Sequence, residues 1–265
     1  MSRPASRGLL VIPAGLALLA GLNAGLLLLG LPAPVSLDRL GEVHGLLMVL
    51  GFLATLIALE RAVATGRQVA LIVPALFGAG GLALLTPSPR VAAGGLFTTA
   101  AAGLLLVYRS LWRRQQHPAL LMEAAGALLA AGAALLWWRS VGVADLLPWL
   151  VGFVVLTIAG ERVELSALTS MTRGVSVTPL ALSAAVVAAI VASTLWPAVG
   201  SALLGASLLA LTAWLASHDV ARRTVRGSGL PRFSAVSILS GYVWLPVAAL
   251  IWLGAGQVPA AADGE

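Results

Sequence analysis

The sequence predicts an all-α integral membrane protein with about nine transmembrane helices and a cytoplasmic N-terminus. Of its 265 residues, 60% are hydrophobic and 10% are charged, and the mean hydropathy is +1.00. Soluble domains carry about 25% charged residues, so this composition excludes a soluble protein. A repeated apolar segment and the placement of the arginines are the two other observations behind this prediction.

Breaks at proline, glycine and charged residues divide the chain into nine apolar segments. A helix needs about 20 apolar residues to cross a hydrocarbon core about 30 Å thick. The predicted helices cover residues 8–30, 42–64, 68–85, 91–111, 119–138, 146–165, 178–195, 199–217 and 232–254. Because the connections between them are short, we expect a single transmembrane domain over residues 1–265.

The arginines predict how the helices are oriented, because basic residues concentrate in cytoplasmic loops. All 16 basic residues are arginines. With the N-terminus inside, 13 of them fall on the cytoplasmic side, and Arg39, Arg90 and Arg139 fall on the outer side. This pattern predicts a multi-pass protein of a bacterial cytoplasmic membrane. Anionic lipid headgroups account for the net charge of +6, so no nucleic-acid partner is expected.

Two similar segments indicate an internal repeat. GFLATLIALER at 51–61 and GFVVLTIAGER at 152–162 lie 101 positions apart and are identical at six of eleven positions. In each half a proline-containing turn follows, and after it comes a double arginine. The double arginine lies at 113–114 in the first half and at 222–223 in the second. The repeats therefore span about 8–114 and about 117–223, with four helices each and one extra helix at about 232–254. Since four is an even number, the two copies are expected to be parallel.

Three segments carry a resemblance to a known family. HGLLMVLGFLATLIALERAVA, GFVVLTIAGERVELS and SHDVARRTVRGSGLPRF resemble a group of bacterial NnrS-like membrane proteins, which are haem-associated and linked to the nitric-oxide response. The HG-x-x-M element also resembles the haem-ligand helix of haem–copper oxidase subunit I. Longer NnrS-like proteins carry another histidine-bearing helix near the C-terminus, so this sequence is expected to be shortened there. The resemblance implies haem b as a cofactor.

In this interpretation His44 is an axial ligand of the haem iron. Strongly polar groups within membrane helices are usually functional. Gly45 and Gly51 would let a flat macrocycle approach the backbone, and the three outer arginines would bind its propionates. Met48 belongs to the same candidate site, but it lies on the same helix face and cannot supply the opposite ligand. The alternative is a histidine that is only hydrogen-bonded near the membrane interface.

A second candidate site lies near the cytoplasmic ends of the equivalent helices. It consists of Glu60, Arg61, Glu161 and Arg162, joined by Glu164 and by Glu123 of the fifth predicted helix. If the two copies pack about a pseudo-twofold axis, each Glu-Arg pair meets the pair of the other copy. Such a set acts either as a structural ion-pair clamp, in which pairing lowers the cost of burying charge, or as a proton-entry site or ion gate.

Three classes of function remain open. The first is a haem-binding, NnrS-like redox or nitric-oxide-response protein, and the second is a small-solute or ion transporter that uses the repeat interface. The third is a structural or assembly subunit of a larger membrane complex, either as a homo-oligomer or with a partner membrane subunit. The sequence has no phosphate-binding glycine loop, nucleophile elbow or H-E-x-x-H motif, so a self-contained enzymatic reaction is not expected.

Overall fold

The computed structural model describes residues 8–37, 39–87, 89–169 and 177–255, and this part of the chain is helical without strands. The long helices are α1 (Val11–Leu28), α2 (His44–Thr65), α3 (Gln68–Ala83), α4 (Pro89–Trp112), α5 (Pro118–Trp138), α6 (Leu147–Thr169), α7 (Thr178–Leu195), α8 (Pro197–His218) and α9 (Gly229–Ala255). Two short helices, Arg39–Glu42 and Ala221–Thr224, lie in the connections.

Seven of the described helices are long and apolar enough to cross a bilayer. They are α1, α2, α4, α5, α7, α8 and α9. Helix α3 is shorter, and α6 carries Glu161, Arg162 and Glu164 in its second half. The all-helical class and the membrane character are therefore confirmed, whereas the crossing of the membrane by all nine predicted segments stays a prediction.

Helix α2 changes its hydrogen-bonding pattern along its length. Residues Leu47–Leu53 form a π-helical segment between α-helical turns on either side. Within this segment, Gly51 lies against Gly81 of α3 and Ala17 of α1. A Cβ atom at Gly81 would lie only 3.0 Å from the Gly51 Cα and 3.2 Å from the Ala17 Cβ. Small residues thus bring the three helices into backbone contact, as they often do in membrane proteins.

The described helices group into two compact units. The first comprises Met1–Gln115 and Ala127–Leu150, and the second comprises Gln116–Gly126 and Val151–Glu265. Helices α5 and α6 are each divided between the units. The single transmembrane domain and the internal repeat stay predictions.

In the first unit, helices α1 to α4 enclose a core of large apolar side chains. Its fully buried members include Leu46, Leu47, Leu50, Phe77, Leu84, Phe97, Leu104 and Tyr108. The rings of Phe77 and Phe97 join α3 to α4, with their centroids 6.4 Å apart. The connection after α1 is held by Asn23, whose amide donates to the Val35 carbonyl at 2.8 Å and accepts from the Val35 N–H at 2.9 Å.

In the second unit, α7 packs on α8, and α8 packs on α9. Gly205 of α8 lies directly against the Ala249 carbonyl of α9. Gly126 of α5 similarly faces α6, where an added Cβ would lie 3.0 Å from the carbonyl oxygen of Phe153. Close contacts at glycine therefore join the helices of this unit as well.

We expect Gly81→Ala to lower the free energy of unfolding by about 1–3 kcal/mol, because the added methyl group overpacks a contact made of backbone atoms. Gly15→Ala in α1 is the matched control, since nothing lies within 4 Å of a Cβ atom there. Thermal unfolding of the two variants in detergent measures the difference. Equal midpoints would show that α1, α2 and α3 do not meet as described.

Candidate functional site

His44 begins α2, and its half-buried ring lies against α1. Its Nδ1 is 2.8 Å from the carbonyl oxygen of Gly21. Because a carbonyl only accepts, Nδ1 carries the hydrogen and donates it, and Nε2 of the neutral ring keeps its lone pair. Metal-ligating histidines are oriented by the same kind of hydrogen bond. The imidazole therefore has the tautomer that a ligand binding through Nε2 requires.

The other residues predicted around the imidazole contact protein atoms. Met48 packs on Gly21, so its thioether lies over the same stretch of α1 as the histidine ring. A Cβ at Gly45 would lie 3.1 Å from a methyl carbon of Val143, and Gly51 is in contact with α1 and α3. The faces of both glycines are thus filled by side chains or backbone, and a macrocycle does not fit against them.

Two of the three predicted propionate partners bind backbone carbonyls of the chain itself. Arg39 donates to the carbonyl oxygen of Leu85 at 2.9 Å and to that of the next residue. Arg90 donates to the Trp137 carbonyl at 3.3 Å, and its guanidinium carbon lies 5.3 Å from the centroid of the indole ring, as in a cation–π contact. Arg139 is exposed directly after α5.

The charged residues of the second candidate site lie in different surroundings. Glu60 is exposed at the end of α2, whereas Arg61 is buried. Glu123 is fully buried in α5, and Glu161 and Glu164 are half-buried on α6. The predicted pairing between the two copies joins one unit to the other and stays a prediction.

Arg162, the remaining member of that set, binds Asp219. Its Nε and Nη2 donate to the two carboxylate oxygens at 2.8 and 2.6 Å, which forms a bidentate pair. The Asp219 side chain is fully buried, and that of Arg162 is 15% exposed. The hydroxyl of Tyr242 donates to Oδ2, and the backbone N–H of Ala221 donates to Oδ1 at 2.7 Å. Each carboxylate oxygen therefore accepts two hydrogen bonds.

The local sequence explains how Asp219 reaches this position. Helix α8 ends at His218, and Asp219 is extended, with a ψ of 137°. Its side chain then caps the short helix Ala221–Thr224, a position where aspartate is favoured. Because Arg162 comes from α6 and Tyr242 from α9, one carboxylate joins three helical elements of the second unit.

Opposing effects act on this carboxyl group. Burial raises the pKa of Asp219, because it disfavours the charged form. Hydrogen bonds from Arg162, from the Ala221 N–H and from Tyr242 outweigh the burial, so the pKa lies below its ordinary value. The group is thus held as a carboxylate, which is suited to a fixed ion pair and not to proton exchange near neutral pH.

Asp219 is not among the site residues predicted from the sequence, although the sequence contains one signal for it. An aspartate that follows a predicted helix and lies two residues before ARRT matches the pattern of a helix N-cap. Nothing in that pattern names Arg162 as the partner, because the two residues are 57 positions apart.

We expect Asp219→Asn and Arg162→Gln each to destabilise the protein by about 3–5 kcal/mol, because each leaves its partner buried and unpaired. The double variant should lose less than the sum, with a coupling of at least about 1 kcal/mol. Chemical unfolding in detergent measures the cycle. Glu60→Gln is the control, since that side chain is exposed and should change stability little. Strictly additive losses would contradict the pair.

Stability should also depend on pH through Asp219. Its pKa in the folded protein lies below the value of about 3.9 of an unfolded chain, so its contribution is complete above about pH 4. The contribution is lost as the pH falls through the folded pKa. The difference between the thermal midpoints of the wild type and of Asp219→Asn, measured from pH 7 down to pH 3, should therefore stay constant down to about pH 5 and narrow below about pH 4. A constant difference over this range would refute the assignment.

Comparison with known proteins identifies the family to which the chain belongs. A family model described as "Domain of unknown function (DUF8744)" matches residues 7–264. Comparisons with curated proteins and with solved structures find no match. The resemblance to NnrS-like proteins therefore stays a prediction. Because the match covers nearly the entire sequence, the chain belongs to the DUF8744 family.

Proposed function

We propose that this multi-pass membrane protein binds a haem-type cofactor, with Nε2 of His44 as an axial ligand. The observation that carries the proposal is the hydrogen bond from His44 Nδ1 to the Gly21 carbonyl, which leaves the lone pair on Nε2. The resemblance of the HG-x-x-M helix to NnrS-like proteins points the same way. When bound, haem supplies an iron centre for electron transfer or for a gaseous ligand.

The position of His44 in α2 supports the same proposal. The π-helical segment Leu47–Leu53 begins three residues after the histidine. Segments of this kind are rare and occur frequently at functional sites. Gly45 and Gly51 are covered by other parts of the chain, so a macrocycle does not lie against them. The proposal therefore rests on His44 as the iron ligand.

We infer that the chain crosses the membrane nine times, with its N-terminus in the cytoplasm and two parallel four-helix repeats. Arginine positions in the first unit support this topology. Arg67 directly precedes α3 and lines one pocket with three arginines in and just after the last turn of α4. Arg39 and Arg90 are the arginines assigned to the outer side. Arg39 binds a carbonyl just after the end of α3, and Arg90 binds a carbonyl in the last turn of α5. Arg3, Arg7 and Arg173 lie outside the described residues.

Two other functions stay predictions. Transport of a small solute or ion would need a path between the two halves of the chain. A structural or assembly role would need a second copy or a partner membrane subunit. The absorption spectrum of the purified protein separates haem binding from both of them.

We expect protein purified from haem-replete cells to show a Soret band that His44→Ala removes. His44→Gln tests the ligand separately from the fold, because a glutamine amide can still donate to the Gly21 carbonyl but has no imidazole nitrogen. His218→Ala is the matched control and should keep the band, since that ring stacks on Trp214. A colourless wild-type protein, or a band that survives in His44→Gln, would overturn the proposal.

A further inference from the structure

Four arginines meet at one end of the first unit. A pocket of about 290 Å³ is lined by Arg67, Leu106, Arg109, Ser110, Arg113 and Arg114. All four guanidinium-bearing residues are exposed. Within the part of the chain that the structure describes, none of these arginine side chains has an ion pair or a hydrogen bond. Among the described residues that line the pocket, four carry a positive charge and none is a carboxylate.

The spacing of the arginines along the chain brings these charges together. Arg109 lies in the last turn of α4, which ends at Trp112. Arg113 follows the helix, and its N–H still donates to the Arg109 carbonyl at 3.2 Å, so the helical spacing continues to Arg113, with Arg114 directly after it. Like charges at this spacing destabilise a helix, and Arg67 adds a further charge from the connection before α3. An anion bound in the pocket would remove this repulsion.

An apolar groove adjoins the arginine pocket. It has a volume of about 230 Å³ and shares Arg67, Leu106 and Ser110 with the pocket. Val69 and Ile72 contribute its wall on the side of α3, and both are more than half exposed, as is Leu106. The groove runs between α3 and α4 and borders the arginine pocket at the three residues that the two share.

We propose that the arginine pocket and the apolar groove together bind one anionic phospholipid. The phosphate lies among the guanidinium groups, which suit bidentate hydrogen bonding to its oxygens, and an acyl chain lies in the groove. Clusters of arginine beside a membrane-spanning helix attract anionic lipids in this way. A free phosphate would satisfy the charges but would leave the groove unused, so the joint arrangement selects a lipid.

The second double arginine has different surroundings. Arg222 and Arg223 line a pocket of about 330 Å³ that also includes Asp219, and Arg222 donates to the Ser217 carbonyl at 2.9 Å. This pocket already contains a carboxylate from the chain. Replacing Arg222 and Arg223 removes the same charge from the protein without touching the proposed lipid site, which provides a matched control.

The test is native mass spectrometry of the full chain in detergent, titrated with long-chain phosphatidylglycerol and, separately, phosphatidylcholine. We expect a clear preference for phosphatidylglycerol. The variant with Arg113→Gln and Arg114→Gln should bind it about thirtyfold more weakly, given the usual contribution of a basic residue at an anionic surface. The variant with Arg222→Gln and Arg223→Gln should remain within about threefold of the wild type, because its two changed arginines lie outside the lipid site.

Two further measurements separate the sources of the phosphate. Leu106→Gln should weaken the binding of phosphatidylglycerol, because it places an amide in the groove, and added inorganic phosphate or glycerol phosphate should not displace the lipid. Displacement by either soluble anion at a concentration equal to that of the lipid would indicate a free-anion site and overturn the proposal. Equal weakening in the two double-arginine variants would overturn it as well, since binding would then follow net charge alone.

Discussion

A polar group surrounded by hydrocarbon must find its partner within the protein, and this constraint governs where the polar side chains of this chain lie. Asn23 bonds both backbone groups of Val35, and Arg39 bonds carbonyls that follow α3. Arg162 and Tyr242 bond one buried carboxylate. These contacts tie helices to the connections between them, whereas the helix interiors meet through glycine and alanine. In each unit, therefore, these polar hydrogen bonds form where helices meet connections, and close apolar packing forms between the helix interiors.

Hydropathy and helix-breaking residues predicted most of the secondary structure. The prediction of a helix over 178–195 coincides with Thr178–Leu195, and that over 119–138 differs from Pro118–Trp138 by one residue. These boundaries follow from local chemistry at proline and at charged positions. The π-helical segment in α2 could not be predicted, because its hydrogen-bond shift depends on contacts with neighbouring helices. The sequence showed the charged residues that distinguish α6, but it did not show which residues they bind.

The candidate sites show the same limit. Sequence periodicity placed His44 and Met48 on one face, and both side chains do contact the same stretch of α1. It could not show that the glycines beside them are covered by other helices. Equivalence between the two Glu-Arg segments directed attention to Arg162, yet its partner came from a connection 57 residues away. A pairing over that distance depends on how α6, α8 and α9 pack, which similarity between segments does not contain.

The two double arginines show how similar local sequences acquire different electrostatics. In the second unit a buried aspartate stands beside Arg222 and Arg223, although its own bidentate partner is Arg162. The position 109 residues earlier than Asp219 is Ser110, which lines the arginine pocket and carries no charge. The described residues that line the arginine pocket include no acidic side chain. At the end of a membrane-spanning helix, the anions available at the highest local concentration are lipid headgroups. Similar runs of arginine thus lie beside a carboxylate in one pocket and beside a hydroxyl in the other, and this difference underlies the proposal that the first of them binds an anionic lipid.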